Sequence, residues 1–201
     1  MQTKTYQTLF TLVQSLAGVN AFTTEEESYI INFTNRRFRQ AYDASEFWPR
    51  YLVVGEARTV GANGVVPRNQ TEMRNVGEFL RIHRNQPFNR NSEIEYNYFV
   101  TASGAHIMNI QPSNSTDVYV TYKLELPTIV STSGVPLEFF YFMAHAVYAD
   151  FLRMDGQNEK AIVEEQIARE YLDQELGKLD NINNNNSIGR KISTYVNRQS
   201  R

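Results

Sequence analysis

The chain has 201 residues, 41% of them hydrophobic, and a formal charge of −2 at neutral pH. That suits one domain, or one domain carrying an insertion, with a real core, and argues against wholesale binding of nucleic acid or anionic membrane. The absence of cysteine excludes disulfides, a thiol nucleophile and thiolate metal sites. No apolar run approaches the ~18 residues that span a bilayer, and the opening MQTKTYQTLFTLVQSLAG is too polar for a secretion signal, so the expectation is a soluble protein made in the cytoplasm.

Leu9, Leu12, Val13 and Leu16 fall at helical spacing ahead of Gly18 and Asn20, which predicts a helix over 5–17. A longer helix is predicted over 24–46. Thr23 and Thr24 can each cap it, with Glu26 and Glu27 three residues on, as a capping box requires. Glu25, Glu26 and Glu27 also oppose the positive end of the helix dipole. Ile30, Phe33, Arg37 and Ala41 share a face with Tyr29, Ile31 and Phe38 beside them, giving a broad stripe toward a core. Pro49 ends the helix at or before Trp48, the only tryptophan, which is expected to be an anchor at least partly buried where this helix meets the sheet and the later helical hairpin, beside residues such as Phe140 or Tyr148.

Strand periodicity then takes over. Residues 51–57 predict a strand, and 60–76, rich in Gly, Asn and Pro, an exposed loop with a turn at Ala62-Asn63-Gly64. A strand over 79–84 follows. Ile94, Tyr96, Tyr98 and Val100 alternate within 93–101, and a Ser103-Gly104 turn leads to 106–110 as a hairpin. After a loop at 112–116, Val118, Val120, Tyr122 and Leu124 alternate again. The pattern is antiparallel, with one face buried and one wet.

Helical spacing returns with Pro136 at a first-turn position. A helix over 136–154 carries an aromatic stripe, broken at Asp155-Gly156, and a more polar helix over 158–178 folds back on it as an antiparallel hairpin. Asparagines at 181–186 lead into a tail. Residues 187–201 hold Arg190, Lys191, Arg198 and Arg201 and no acid, a local charge of +4 that leaves −6 for the rest. Ile188, Ile192, Tyr195 and Val196 are spaced along one helical face. The expectation is an arm that is disordered when free and docks on a partner as a short helix or an extended segment, through these four residues with Arg190, Lys191 and Arg198. The fold class is therefore α+β: a helical body (1–50 and 127–180), an inserted antiparallel β region (51–126) and a C-terminal arm (181–201).

Few residues point to chemistry. Gly55, Gly61 and Gly64 have no phosphate-loop spacing and fit turns. His83, His106 and His145 lack ligand-like spacing, so no catalytic residue, metal ligand or cofactor is assigned and no enzyme activity is expected. His83 and His106, both in strands, are the basis of one alternative, a small ligand-binding or hydrolytic domain using the β region. Arg36, Arg37 and Arg39 form either a solvated face or a subunit interface. The chain is rich in aromatics, with 12 Tyr and 12 Phe. They fit a core, or, for residues such as Tyr96, Tyr98, Tyr119 and Tyr122, a surface toward partner subunits.

Two stretches taken together carry a resemblance. NFTNRRFRQAYDASEFWPRY is a helix running into Trp-Pro; VYVTYKLELP, a gap and VPLEFFYFMAHAVYADFLRMDGQNEKA are a strand ending in proline followed by a helical hairpin. Over 31–51 and 118–176 the chain resembles tailed-phage head–tail connector proteins, the adaptors of the neck. The resemblance implies a structural virion protein assembled in the host cytoplasm as a dodecameric ring below the portal. Its partners would be further copies of itself, the portal, and other neck or tail proteins. DNA would pass through its channel without sequence-specific binding, and no membrane is involved. A tail terminator or tube component is the alternative within the same class. The arm at 181–201 would reach the portal or a neighbouring subunit.

Overall fold

The computed structural model describes residues 2–61, 63–87, 95–108 and 117–199, with side chains through Leu179. The fold is α+β. The chain forms two compact units, one of Met1–Ser45 with Thr128–Arg201 and one of Glu46–Pro127. Trp48 and Pro49 therefore belong to the inserted unit.

The first unit contains β1 (Thr3–Thr5), α1 (Tyr6–Ala17), α2 (Thr24–Asp43), β8 (Gly134–Pro136), α3 (Leu137–Met154) and α4 (Asn158–Gln199). Local chemistry sets each boundary. Thr5 caps α1 by accepting from the Thr8 amide, and Gly18 ends it at φ 69°, a left-handed conformation that glycine adopts without a Cβ clash. Of the two candidate threonines, Thr23 is the cap of α2 and Thr24 is its first residue. The Thr23 hydroxyl accepts from the Glu26 amide at 3.3 Å, while the Glu26 carboxylate accepts from the Thr23 amide at 2.7 Å. The α3–α4 turn closes at Gly156, φ 77°, with the Gln157 amide on the Leu152 carbonyl at 2.8 Å.

Helix α3 is the centre of this unit. It buries Phe139, Phe140, Phe142, Met143, Ala144, Ala146, Val147, Ala149 and Leu152, residues that go round most of its circumference, because α1, α2 and α4 all pack on it. A helix that is apolar all round is a core helix. Tyr141 stacks on Tyr171 at 5.4 Å across the hairpin, and Ala161, Ala168 and Leu172 seal the α4 side. The short β1–β8 pair, Thr3 opposite Pro136 and Thr5 opposite Gly134, ties the start of α1 to the start of α3. Helix α4 runs on through the asparagines to Gln199, beyond the end expected near 178. The arm, expected to be disordered when free and to dock as a short helix or an extended segment, has helical backbone there: asparagine is a poor helix former but, unlike proline, keeps its N–H and does not break the ladder.

The second unit holds β2 (Leu52–Thr59), β3 (Val65–Pro67), β4 (Val76–His83), β5 (Tyr98–Val100), β6 (Gly104–Ile107) and β7 (Asp117–Leu124). They form two antiparallel sheets, ordered β2-β7-β4 and β3-β6-β5, around a shared core of Val60, Val66, Val76, Phe79, Ile82, Ala105, Ile107, Val118, Val120 and Tyr122. The alternation of Val118, Val120 and Tyr122 on β7 maps onto that core. Tyr122 thus lies inside the unit and is not free to face a partner. Two expectations need correction: the stretch 60–76 is not all exposed loop, since Val65–Pro67 is a strand and Val66 is fully buried, and the β5–β6 hairpin is shorter than its periodicity suggested. The turn before β3 is present, with the Gly64 amide on the Gly61 carbonyl at 2.9 Å and Gly64 at φ 72°. Glu93, Ile94, Asn109, Ile110 and the loop 112–116 lie outside the described residues.

Candidate functional site

The three arginines of α2 are placed differently. Arg37 is buried and binds Asp150 of α3 with both prongs, Nε to Oδ2 at 2.7 Å and Nη2 to Oδ1 at 2.5 Å. Arg36 reaches the same carboxylate at 2.6 Å from a side chain that is 62% exposed. Arg153 approaches Asp150 at 3.4 Å, pairs with Glu165 and so carries the network onto α4, where Arg169 also meets Glu165 at 3.3 Å. Arg39 is exposed. Arg37 is therefore a structural clamp inside its unit, and only Arg36 and Arg39 keep guanidinium surface for a neighbour. Hydrogen bonding from Arg153 leads the causes that hold the Glu165 carboxyl below its ordinary range, with Arg37 and Arg169 adding to the effect against partial burial.

A second buried cation holds the β unit. The Arg58 side chain is fully buried, with Nη2 donating to the Arg74 carbonyl at 2.6 Å and to the Tyr122 hydroxyl at 2.9 Å, and Nε donating to Glu56 at 3.0 Å. Its Nη1 faces the Pro67 and Arg68 carbonyls at 3.5 and 3.4 Å. Tyr122 donates in turn to Glu56 at 2.7 Å. Burial, then the Glu56 hydrogen bond, raises the Tyr122 pKa, so the phenol stays neutral and keeps its proton for that bond. Sequence reasoning did not single out Arg58; the signal was a cation two residues from an acid on one strand face.

The histidines take separate roles. His83 is buried on β4. His106, on the other sheet, stacks on Phe99 at 4.8 Å and sits 3.1 Å from the Thr101 hydroxyl. His145 pairs with Glu164 at 2.7 Å and stacks on Tyr171. Among the described residues no group of three or more His, Asp or Glu side chains is placed to hold a metal ion.

Some large apolar side chains are also exposed. On the β unit Phe99, Val100 and Met108 are each about half exposed; on the helical unit Ile162 and Val163 at the start of α4 are 64% and 58% exposed. A groove of about 310 Å³ runs between α1 and the start of α2, lined by Tyr6, Phe10, Ile31, Thr24, Glu27 and Ser28 among others. Burial, then the charge of Glu27, pushes the Tyr6 hydroxyl up to about 12. Ile188, Arg190, Lys191, Ile192, Tyr195, Val196 and Arg198 lie on the helical backbone of α4, but their side chains are outside the described residues. In comparisons with known proteins, no family model matches the chain and no curated protein matches it.

Proposed function

We propose that this chain is a structural subunit of a phage neck, a head-to-tail adaptor that assembles as a ring on the portal and continues the DNA channel toward the tail. One observation carries the reading: a helical body is interrupted between α2 and α3 by a separate β unit, and each unit presents large apolar side chains to solvent, Ile162 and Val163 on one and Phe99, Val100 and Met108 on the other. Exposed apolar side chains are candidates for contact surfaces where they join into a contiguous patch. A ring built from one kind of subunit needs two different patches per copy. The Trp-Pro segment and the helical hairpin, which resemble adaptor proteins, supply the identity of the ring. The net −6 outside the basic tail suits a channel wall that repels DNA rather than retaining it. Arg36 and Arg39 are the basic groups of α2 available to a neighbouring copy.

The test is negative-stain microscopy of the purified chain, alone and mixed with a portal ring. The expected result is an added annular layer on the portal. A chain that leaves the portal unchanged, or that turns over a small substrate through its β unit, would overturn the proposal.

A further inference from the structure

The three glutamates that open α2 are not alike. Glu25 accepts from the Tyr29 hydroxyl at 2.9 Å, and Glu26 closes the capping box on the Thr23 amide at 2.7 Å. Glu27 is exposed, lines the groove between α1 and α2, and has no side-chain partner among the described residues. Among the described residues lining that groove it is the only charged one. The helix dipole offsets part of its charge, but a carboxylate has about four acceptor sites, and no described protein donor occupies one.

Tyr6, on α1, lines the same groove. It is 6% exposed, yet its hydroxyl has no hydrogen-bond partner among the described residues. Polar groups buried to that degree are normally paired. Burial first, and then the charge of Glu27, raises its pKa to about 12, so the phenol is within reach of the carboxylate's field and stays neutral. The groove thus holds one anion and one neutral hydroxyl, both unspent. Its remaining wall is fixed without a ligand. The Tyr6 amide donates to the Ser133 carbonyl at 3.0 Å, and the Phe10 ring lies 6.0 Å from that of Tyr6 and 5.5 Å from that of Phe22. A wall held in place beforehand loses little freedom on binding. Ile31 adds an apolar surface and Ser28 a further hydroxyl. An anion would be repelled here, and a neutral alcohol would leave the carboxylate unpaired. A primary ammonium has three donors that rotate toward separate acceptors, where a guanidinium needs them in one plane, and aromatic rings favour a cation.

We propose that the α1–α2 groove binds a primary ammonium group carried on an aliphatic stem, with the ammonium between the Glu27 carboxylate and the Tyr6 hydroxyl and the stem against Phe10 and Ile31. A free alkylamine and the lysine side chain of another polypeptide present the same chemistry. The site goes beyond the ring reading and does not depend on it.

The test is an amide NMR titration of the full chain with n-butylammonium chloride at constant ionic strength, with n-butanol as the uncharged match. The expected result is a saturable shift of the Gln7, Ser28 and Ser131 amides, with a dissociation constant of about 1 mM, and no saturation by n-butanol over the same range. Glu27→Gln should weaken binding about tenfold and Tyr6→Phe about fivefold. Glu170→Gln, an exposed acid of α4 outside the groove, should leave it unchanged. Glu27 is at the surface, so Glu27→Gln keeps the proposal falsifiable even where Tyr6→Phe fails to fold. Shifts that never saturate, n-butanol equal to n-butylammonium, or full affinity in Glu27→Gln or in a folded Tyr6→Phe would overturn it. A peptide, acetyl-Gly-Lys-Gly-amide, separates the two sources. Tighter binding than n-butylammonium assigns the site to a lysine of another polypeptide and weaker binding to a free amine, both supporting the ammonium site.

Discussion

Arg37 and Asp150, 113 residues apart in sequence, meet in a buried two-pronged ion pair that joins α2 to α3. The fork geometry of guanidinium on carboxylate satisfies both acceptor oxygens at once. Asp150→Ala would leave Arg37 as a buried cation whose remaining partners are Gln40 at 2.7 Å and Glu165 at 3.8 Å. The expected loss is about 3–5 kcal/mol, the cost of breaking one side of a buried pair, read as a shift in the urea midpoint. Arg36→Ala, which removes a largely exposed partner of the same carboxylate, should cost no more than about 1 kcal/mol. Comparable losses from the two changes would mean that the burial difference does not govern the network.

Glu165 predicts a pH dependence. Its folded-state pKa lies below the ordinary 4.5. A depressed carboxyl stabilises the fold above its unfolded pKa, and that contribution disappears as pH falls through the folded value. Thermal stability should therefore fall on acidification below about pH 4.5, and Glu165→Gln should flatten that part of the profile. Identical acid profiles for the two proteins would refute the assignment.

How much of this was legible in the sequence depends on the length of the signal. The capped start of α2 and the alternation of β7 each repeat over several residues, and both were readable. Strands β1, β3 and β8 have three residues each, too few to establish a period, and their pairing depends on partners distant in the chain. Arg37, read from the sequence as part of a solvated face or a subunit interface, carried a signal which that reading did not use. It shares its helix face with Ile30 and Ala41, and a cation inside an apolar stripe requires an acid from elsewhere. Asp150 sits equally out of place among Val147, Ala149 and Leu152. Each was half of a pair that only the packing of α2 on α3 could complete.

Trp48 is 2% exposed in the inserted unit, and its carbonyl accepts from the Tyr51 and Leu52 amides at 2.9 and 3.0 Å, turning the chain into β2. Trp48→Ala should cost about 3–5 kcal/mol through lost burial and the cavity left behind. An unchanged melting temperature would contradict that.

Gly104 closes the β5–β6 hairpin at φ 147°, and a Cβ there would overlap the Val66 carbonyl oxygen and crowd Pro67 on β3. The obstacle is backbone, so no side-chain rotation relieves it. Gly104→Ala should separate β3 from β6 and lower the melting temperature, whereas Gly156→Ala, whose Cβ would meet nothing within 4 Å, should carry only the strain of a left-handed residue, about 1–2 kcal/mol. Equal losses at the two sites would show that β3 yields freely.

Arg58 should be the most demanding single side chain of the β unit. It serves two kinds of acceptor at once: the Pro67 carbonyl at the end of β3 with the Arg68 and Arg74 carbonyls of the segment that follows, and the Glu56–Tyr122 pair on the sheet. Arg58→Met preserves the apolar stem but leaves these acceptors without their donor, so a loss of about 3–5 kcal/mol is expected. Arg58→Lys keeps the charge and loses the fork, since an ammonium cannot span two acceptor groups in one plane, and should recover only part of that loss. Tyr122→Phe removes one hydroxyl that both accepts from Arg58 and donates to Glu56, at about 1–3 kcal/mol. Because the three groups share partners, Arg58→Met combined with Tyr122→Phe should cost less than the two changes added together. Additive losses in that double-mutant cycle would mean the arginine acts on the segment between β3 and β4 alone, with the Glu56–Tyr122 pair independent of it.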